Sequence, residues 1–185
     1  MATWNLVNAD QPALARSAIK LPSIVQARDN ASLVADGETD VSAVLTSVID
    51  DMSSGQVLQL DAGSYYVPTL RDYAYDNGIT IQGVPGKTKL LGDGTITEDA
   101  PTDDVMFDMR GGPIRLRDII VEDAGIVLGF NNLAEQMGDI YIESCEFTGC
   151  GGVAHLDSSA GFVAGGGDDK GFTNFRMTDC NLTDC

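Results

Sequence analysis

The sequence predicts an all-β fold in which short parallel strands stack in successive coils behind a single α-helix. Three observations favour it. Twenty-one glycines interrupt the chain, which argues against a helical bundle. Apolar residues recur with a helical period in one segment near residue 45 and with a period of two in short runs after it. One eight-residue pattern then occurs three times in the second half of the chain.

The helix is predicted over about residues 40–53. From Val41 to Met52, apolar side chains fall at i, i+3, i+4, i+7, i+8 and i+11, which places them on one stripe of a helix. Asp40 suits the N-cap, because its carboxylate can accept free amide hydrogens of the first turn. Ser53-Ser54-Gly55 supplies the stop. Such a helix would cap the strand stack and cover an open sheet edge.

Short strands follow the helix. The first two are separated by the turn Asp61–Ser64, in which Gly63 can adopt a positive φ. The predicted strands are Val57–Leu60, Tyr65–Val67, Ile79–Ile81, Lys89–Leu91, Val105–Phe107, Ile114–Leu116 and Ile119–Val121.

The repeat has three copies, residues 114–121, 140–147 and 175–182. In each copy the first, third, sixth and eighth positions are apolar, and the fifth is a polar corner: Asp118, Ser144 or Asp179. Offsets of 26 and 35 residues are typical of coils whose strands are fixed and whose loops vary in length. The first residues of the copies are therefore predicted to lie above one another in an apolar column: Ile114, Ile140 and Phe175.

The charge of the chain is its most unusual bulk property. It has 28 acidic and 11 basic residues, a net charge of −17, so a nucleic acid backbone would be repelled and is excluded as a partner. Aspartate dominates, with 22 Asp against 6 Glu and only 4 Lys. Short carboxylates and few Lys stems are typical of halophilic proteins, since concentrated salt also screens self-repulsion. An ordinary acidic protein is the alternative.

Three features of the sequence bear on where the protein is located and how it attaches to a partner. No run approaches the roughly 18 apolar residues of a membrane span, so we expect a soluble protein without membrane insertion. Residues 1–5 lack the features of a signal peptide. Residues 1–30 have no sustained period but are too apolar for a solvated tail, which predicts a docking segment ahead of the helix and coils of 31–185. The expected docking residues are Trp4, Leu6, Val7, Leu14, Ile19 and Leu21.

Four cysteines lie in the last quarter of the chain: Cys145, Cys150, Cys180 and Cys185. The second pair repeats the spacing of the first, which favours a stacked ladder of small apolar side chains over disulfides, and disulfides over a metal site. His155 is predicted to be structural. Gly165–Gly171 lacks alternating Asp ligands and is predicted to be a surface loop. Neither a metal nor a cofactor is expected.

Three segments together resemble the opening of pectate-lyase-like proteins. They are Asp36-Gly37-Glu38-Thr39-Asp40, the run from Leu60 to Tyr66 after the helix, and Ile79–Gly83. The likeness covers roughly residues 33–92, with Asp61 where the family usually has Pro. It implies a right-handed single-stranded parallel β-helix with an N-terminal capping helix, as in viral tailspikes and polysaccharide lyases.

This resemblance and the charge together lead to an expectation about function. We expect a virion structural protein, a tail fibre or tailspike of a haloarchaeal tailed virus, which docks to tail or baseplate proteins through its N-terminus. The resemblance implies a homotrimer. The alternatives are a polysaccharide lyase or glycoside hydrolase with catalytic coils downstream, and a cell-surface adhesion module. Because the chain stops directly after a strand pair, at Cys185, we expect the polypeptide to continue or another chain to cover this end.

One outward face is a candidate ligand site. Arg115, Tyr141 and Arg176 share one repeat position, and Tyr stacks on sugars while Arg pairs with carboxylates. They predict a strip for a host surface glycan, although alternating outward polar residues are also ordinary in a β-helix. No catalytic residue is assigned. The charged groups on which a lyase or glycosidase would draw are Asp118, Glu122, Asp123, Glu143 and Asp179, with Arg117 nearby.

Overall fold

The computed structural model describes residues 22–68, 70–73, 78–94, 105–109, 113–130, 139–156 and 174–185. Within these ranges the chain forms sixteen short strands, one α-helix and one 3-10 turn at Ala27–Asp29. The protein is therefore dominated by β-structure, as the sequence predicts.

All strands pair in parallel, in three sheets. The first sheet contains β1 (Ile24–Gln26), β3 (Val57–Gln59), β6 (Ile79–Gln82), β9 (Ile114–Arg117), β12 (Ile140–Glu143) and β15 (Phe175–Thr178). The second contains β2 (Asp36–Asp40), β4 (Gly63–Tyr66), β7 (Thr88–Leu91), β10 (Ile120–Glu122), β13 (Glu146–Thr148) and β16 (Asn181–Thr183). The third contains β5 (Leu70–Tyr73), β8 (Val105–Met109), β11 (Ile126–Phe130) and β14 (Gly152–Leu156).

Each sheet collects its strands in chain order, so successive coils add one strand to each sheet in turn. Antiparallel neighbours would need hairpins, whereas this order requires the chain to travel around the molecule before it returns to the same sheet. The arrangement is compatible with a parallel β-helix.

The predicted register of the repeat is confirmed. Ile140 is the register partner of both Ile114 and Phe175, and Phe147 is the partner of both Val121 and Leu182. All three copies therefore superpose through the stacking of coils.

Inward side chains of neighbouring coils form continuous apolar columns. In the first sheet, Leu58, Ile81, Leu116 and Ile142 are register neighbours with no exposed surface. Burial of one such side chain stabilises the fold by about 1.5–3 kcal/mol. In the last coil, no further described strand pairs with β15 or β16, and the inward residues Phe175 and Leu182 are 44% and 52% exposed.

The corners between sheets have a special backbone. The predicted corner residues Asp118, Ser144 and Asp179 all have φ near +55°, the left-handed region in which Asp is tolerated better than most residues. A second row of left-handed corners follows the strands of the second sheet: Asp123, Gly149 and Asp184. One such residue changes the chain direction sharply enough to pass from one sheet to the next.

The predicted helix is present but shorter than expected. Helix α1 spans Ser42–Asp50, with Val41 at the N-cap. Asp40 ends β2 instead, although its carboxylate still accepts the Ser42 amide hydrogen, with N and Oδ1 2.8 Å apart. The predicted apolar stripe faces the core, since Val41, Leu45 and Ile49 are buried.

Segment Asp36–Asp40, which the sequence did not predict as a strand, forms β2. The Asp36 carboxylate accepts amide hydrogens from Glu38 and Thr39 at 2.9 and 2.8 Å, and Gly37 has φ +77°. These are turn-type bonds, and they coincide with a register shift between β2 and β4. They also lower the pKa of Asp36 to about 2. The structure further contains strands that the sequence did not predict: β1, β5 and β11.

Gly92→Ala should test the close stacking of coils. An added Cβ at Gly92 would lie 2.6 Å from the Ala124 Cα of the next coil, so the backbone would have to move. We expect the free energy of unfolding to fall by about 1–3 kcal/mol, measured by denaturant titration. Gly152→Ala is the matched control. An added Cβ at Gly152 meets no atom within 4 Å, so this variant should be neutral or stabilising by up to about 1 kcal/mol. An equal loss of unfolding free energy in both variants would contradict the close stacking at Gly92.

Candidate functional site

The predicted ligand residues lie together on the first sheet. Tyr141 is the register partner of Arg115 on one side and of Arg176 on the other. We call these three residues the outer column. Neighbouring strands are about 4.8 Å apart, so the two arginines lie on strands roughly 10 Å apart with the tyrosine between them.

Arg115 is held against the tyrosine. Its guanidinium carbon lies 4.9 Å from the centre of the Tyr141 ring, within the range of a cation–π interaction. The Arg115 Nε atom is buried and has no hydrogen-bond partner among the described residues. A buried polar atom without a partner costs free energy, so this guanidinium retains hydrogen-bonding capacity that the described part of the fold does not use.

Asp139 fixes the other end of the tyrosine. The Tyr141 hydroxyl donates to Asp139 Oδ2 at 2.8 Å, and the Asn174 amide donates to Asp139 Oδ1 at 2.9 Å. The bond from Asn174, followed by that from Tyr141, lowers the pKa of Asp139. The same bond to Asp139 raises the pKa of Tyr141, so the phenol is held as a donor.

Asp139 and Asn174 were missed by the sequence analysis. Each precedes its strand by one residue and lies just outside the eight-residue repeat. However, each is two residues before a member of the outer column, Tyr141 or Arg176, and alternate residues of a strand share a face. This two-residue spacing could have predicted that Asp139 and Asn174 lie beside the outer column.

A shallow groove adjoins the outer column. It has a volume of about 250 Å³ and is lined by residues of four successive coils, including Gly55, Gly78, Pro113, Arg115 and Tyr141. Residues with small or cyclic side chains form part of its floor, while Arg115 and Tyr141 provide a cation and an aromatic ring. The groove therefore crosses the strands along the direction in which the coils stack.

The candidate catalytic carboxylates are not gathered at one place. Asp118 and Glu143 lie within 3.6 and 3.8 Å of the Arg117 Nε atom, and Gln82 donates to Asp118 at 3.2 Å. Glu122 belongs to the second sheet, where Lys89 pairs with it at 2.7 Å. The two remaining candidates, Asp123 and Asp179, occupy left-handed corners. Asp118 and Glu143 thus share an arginine, whereas Glu122 pairs with a lysine on another sheet.

The cysteines follow the repeat. All four are free thiols; Cys145 and Cys150 are buried, Cys180 is half-buried and Cys185 is exposed. The Cys180 thiol lies 3.5 Å from the Ile142 carbonyl oxygen of the preceding coil. Burial raises the pKa of Cys145 to about 12 and also raises that of Cys150. Both buried thiols therefore stay protonated near neutral pH.

Several predicted features lie outside the described residues: the docking residues Trp4, Leu6, Val7, Leu14, Ile19 and Leu21, and the loop Gly165–Gly171. The backbone of His155 is part of β14, where it is the register partner of Gly129. Within the described ranges, no three His, Cys, Asp or Glu side chains are placed to hold a metal ion. No helix in the same ranges is long and apolar enough to cross a bilayer.

Searches against protein-family models, curated proteins and solved structures found no match.

Alkylation should reveal the burial of the cysteine ladder. In the native chain at pH 8, iodoacetamide should modify Cys185 first and leave Cys145 unmodified, because the Cys145 thiol is buried and its pKa is about 12. Mass spectrometry of tryptic peptides over time gives the rates. In denaturant all four should react alike, whereas equal native rates at Cys145 and Cys185 would contradict the stacked arrangement.

Tyr141→Phe should raise the pKa of Asp139 towards that of an ordinary carboxyl group, because the variant removes a hydrogen bond that favours the ionised form. The folded pKa of Asp139 lies below its unfolded value. Its stabilising contribution is therefore present above the unfolded pKa and is lost as the pH falls through the folded pKa. A carbon-detected NMR titration measures the pKa of Asp139, with Tyr66→Phe as the control. An unchanged Asp139 pKa in Tyr141→Phe would refute the hydrogen bond between Tyr141 and Asp139.

Proposed function

We propose that this chain forms the first coils of a right-handed, pectate-lyase-like parallel β-helix that serves as the shaft of a viral tail fibre or tailspike. Helix α1 would cap its N-terminal end. The finding that carries the proposal is the in-register stacking of coils in three parallel sheets. Each coil lengthens the stack by about 4.8 Å, so repetition of one unit yields the elongated, rigid body that a fibre requires.

The buried columns support a mechanical role. Leu116 and Ile142 are fully buried between neighbours above and below them. Their partners come from different coils, so separating two coils would expose apolar surface in both. A shaft that transmits force along its axis needs this kind of cohesion between successive units.

The charge supports a halophilic source. With a net charge of −17, copies of the chain repel one another in dilute buffer, whereas molar salt reduces the screening length to about 3 Å. We propose a haloarchaeal tailed virus, a homotrimeric assembly, and residues 1–30 as the segment that docks to the tail or baseplate. The outer column would then belong to the surface that meets a host glycan.

A polysaccharide lyase or glycoside hydrolase of the same fold is the rival. The observation that favours it is the sharing of Arg117 by Asp118 and Glu143, since glycosidases use paired carboxylates. An assay of the full chain for release of reducing or unsaturated ends from acidic and neutral polysaccharides distinguishes the two. Turnover that disappears in Glu143→Gln would establish the enzyme.

The assembly of the chain provides the direct test. In about 3 M KCl we expect a mass near three times 19.5 kDa by light scattering, and dissociation as salt is lowered, because self-repulsion is then no longer screened.

Deletion of residues 2–21 leaves β1 intact and separates docking from assembly. This variant should still form trimers but should fail to enter virus particles when it replaces the full chain. A monomer in concentrated salt, or normal incorporation of the deleted chain, would refute the proposal.

A further inference from the structure

Cations are scarce in this chain, and several of them are paired. The chain has 11 basic residues against 28 acidic ones, so carboxylates far outnumber the cations with which they could pair. Among the described residues, nitrogen–oxygen distances of 2.7–3.8 Å join Arg28 to Asp61, Lys89 to Glu122, and Arg117 to Asp118 and Glu143. No described carboxylate lies within ion-pair distance of Arg115 or Arg176. The two ends of the outer column thus hold guanidiniums without a counter-charge among the described residues.

The surroundings of these arginines restrict what can neutralise them. Asp139, two residues before Tyr141, already accepts hydrogen bonds from Tyr141 and Asn174, and Glu143, two residues after it, lies 3.8 Å from Arg117. Arg115 lies against the aromatic ring, and its buried Nε atom has no hydrogen-bond partner within the described ranges. The counter-charge for this column therefore has to come from outside the described part of the chain.

The spacing of the column indicates the size of a ligand. Arg115 and Arg176 lie on strands roughly 10 Å apart with Tyr141 between them, so a ligand that meets all three side chains spans about two strand spacings. The groove beside Arg115 extends over four coils and has a floor that includes Gly55, Gly78 and Pro113. An extended chain that carries more than one anionic group fits both the column and the groove.

We propose that the outer column and its groove bind an acidic saccharide chain, with carboxylate or sulfate groups on Arg115 and Arg176 and a sugar ring beside Tyr141. This inference rests on the proposed function, because it names the class of glycan that the fibre would recognise. Arg forms bidentate, charge-assisted hydrogen bonds with planar carboxylates and with sulfate oxygens. Asp139 and Asn174 act as positioning residues, which hold the tyrosine for this contact.

Other ligand classes fit the column less well. A neutral glycan would leave both guanidiniums without a counter-charge. A nucleic acid has a continuous backbone charge, and the protein has a net charge of −17. The acidic surface outside the outer column would therefore repel it. An acidic saccharide has carboxylate or sulfate groups for the two arginines and apolar ring faces for the aromatic side chain.

The test measures the affinity of the full chain for four probes: a galacturonate hexamer, a sulfated dextran oligosaccharide, a neutral dextran oligosaccharide of equal length, and inorganic sulfate. Titration calorimetry is carried out at the lowest KCl concentration that preserves the native circular dichroism spectrum, because salt screens the contacts under study. The variants are Arg115→Gln and Arg176→Gln. Arg117→Gln is the matched control, since it removes the same charge from the same sheet at an already paired position.

We expect at least one acidic oligosaccharide to bind, and Arg115→Gln and Arg176→Gln each to weaken it about tenfold to a hundredfold, the loss of one charge-assisted contact. Arg117→Gln should change the affinity less than twofold. The two acidic probes distinguish carboxylate from sulfate recognition. The inference is overturned if the neutral probe binds equally well, if inorganic sulfate binds as tightly as the oligosaccharides, if Arg117→Gln loses as much affinity, or if no acidic probe binds.

The mass of the same protein preparation, measured in about 3 M KCl where the trimer is expected, separates the two proposals. A trimer that binds no acidic saccharide refutes only the ligand assignment. A monomer that binds one, with the expected losses in the two variants, refutes the shaft and leaves the saccharide site standing.

Discussion

Parallel pairing of one coil with the next, in strict register, is the constraint on which the rest of this structure depends. It places Ile142 between Leu116 and Met177 and thereby creates the buried column. The same register places Tyr141 between two arginines on the opposite face, since adjacent residues of a strand point to opposite sides. A slip of one residue would expose the core and bury the charges. The core and the candidate site thus lie on opposite faces of the same sheet, and one register sets both.

The left-handed corners make this register possible. Asp118 and Ser144 have φ values near +55°, a conformation that costs aspartate and serine more free energy than it would cost glycine. Backbone hydrogen bonds across coils stabilise them, as the Asp118 amide hydrogen is donated to the Glu143 carbonyl oxygen, with N and O 3.1 Å apart. Because the corner is a single fixed geometry, both flanking strands keep the same phase in every copy of the repeat.

The sequence predicted those parts of the fold in which apolar and polar residues alternate. The repeat that begins at Ile114 predicted the register correctly, because alternation in a half-buried strand reports which side faces the core. Strand β11 was missed since its residues Ile126, Val127 and Leu128 are all buried, and a continuous apolar run has no period of two. Strand β2 was not predicted because Gly37 and an Asp36 side chain that accepts nearby amide hydrogens are features of turns.

The candidate site was predictable only in part. A shared repeat position was enough to group Arg115, Tyr141 and Arg176. The cation–π contact, the unpartnered Arg115 Nε atom and the groove depend on side-chain placement, which no periodicity encodes. Asp139 accepts hydrogen bonds from the Tyr141 hydroxyl and the Asn174 amide, and its role becomes evident only once β12 and β15 lie side by side.

The uneven lengths of the connections between strands have a consequence for how such a chain can diversify. From the first sheet to the second, the last three coils use two residues each, whereas from the third sheet back to the first the two latest connections take nine and eighteen. The extra length therefore lies between the third sheet and the first, away from the two-residue corners. New surface can accumulate at those junctions, by natural recombination or by deliberate grafting of a foreign peptide, without disturbing the phase of any strand.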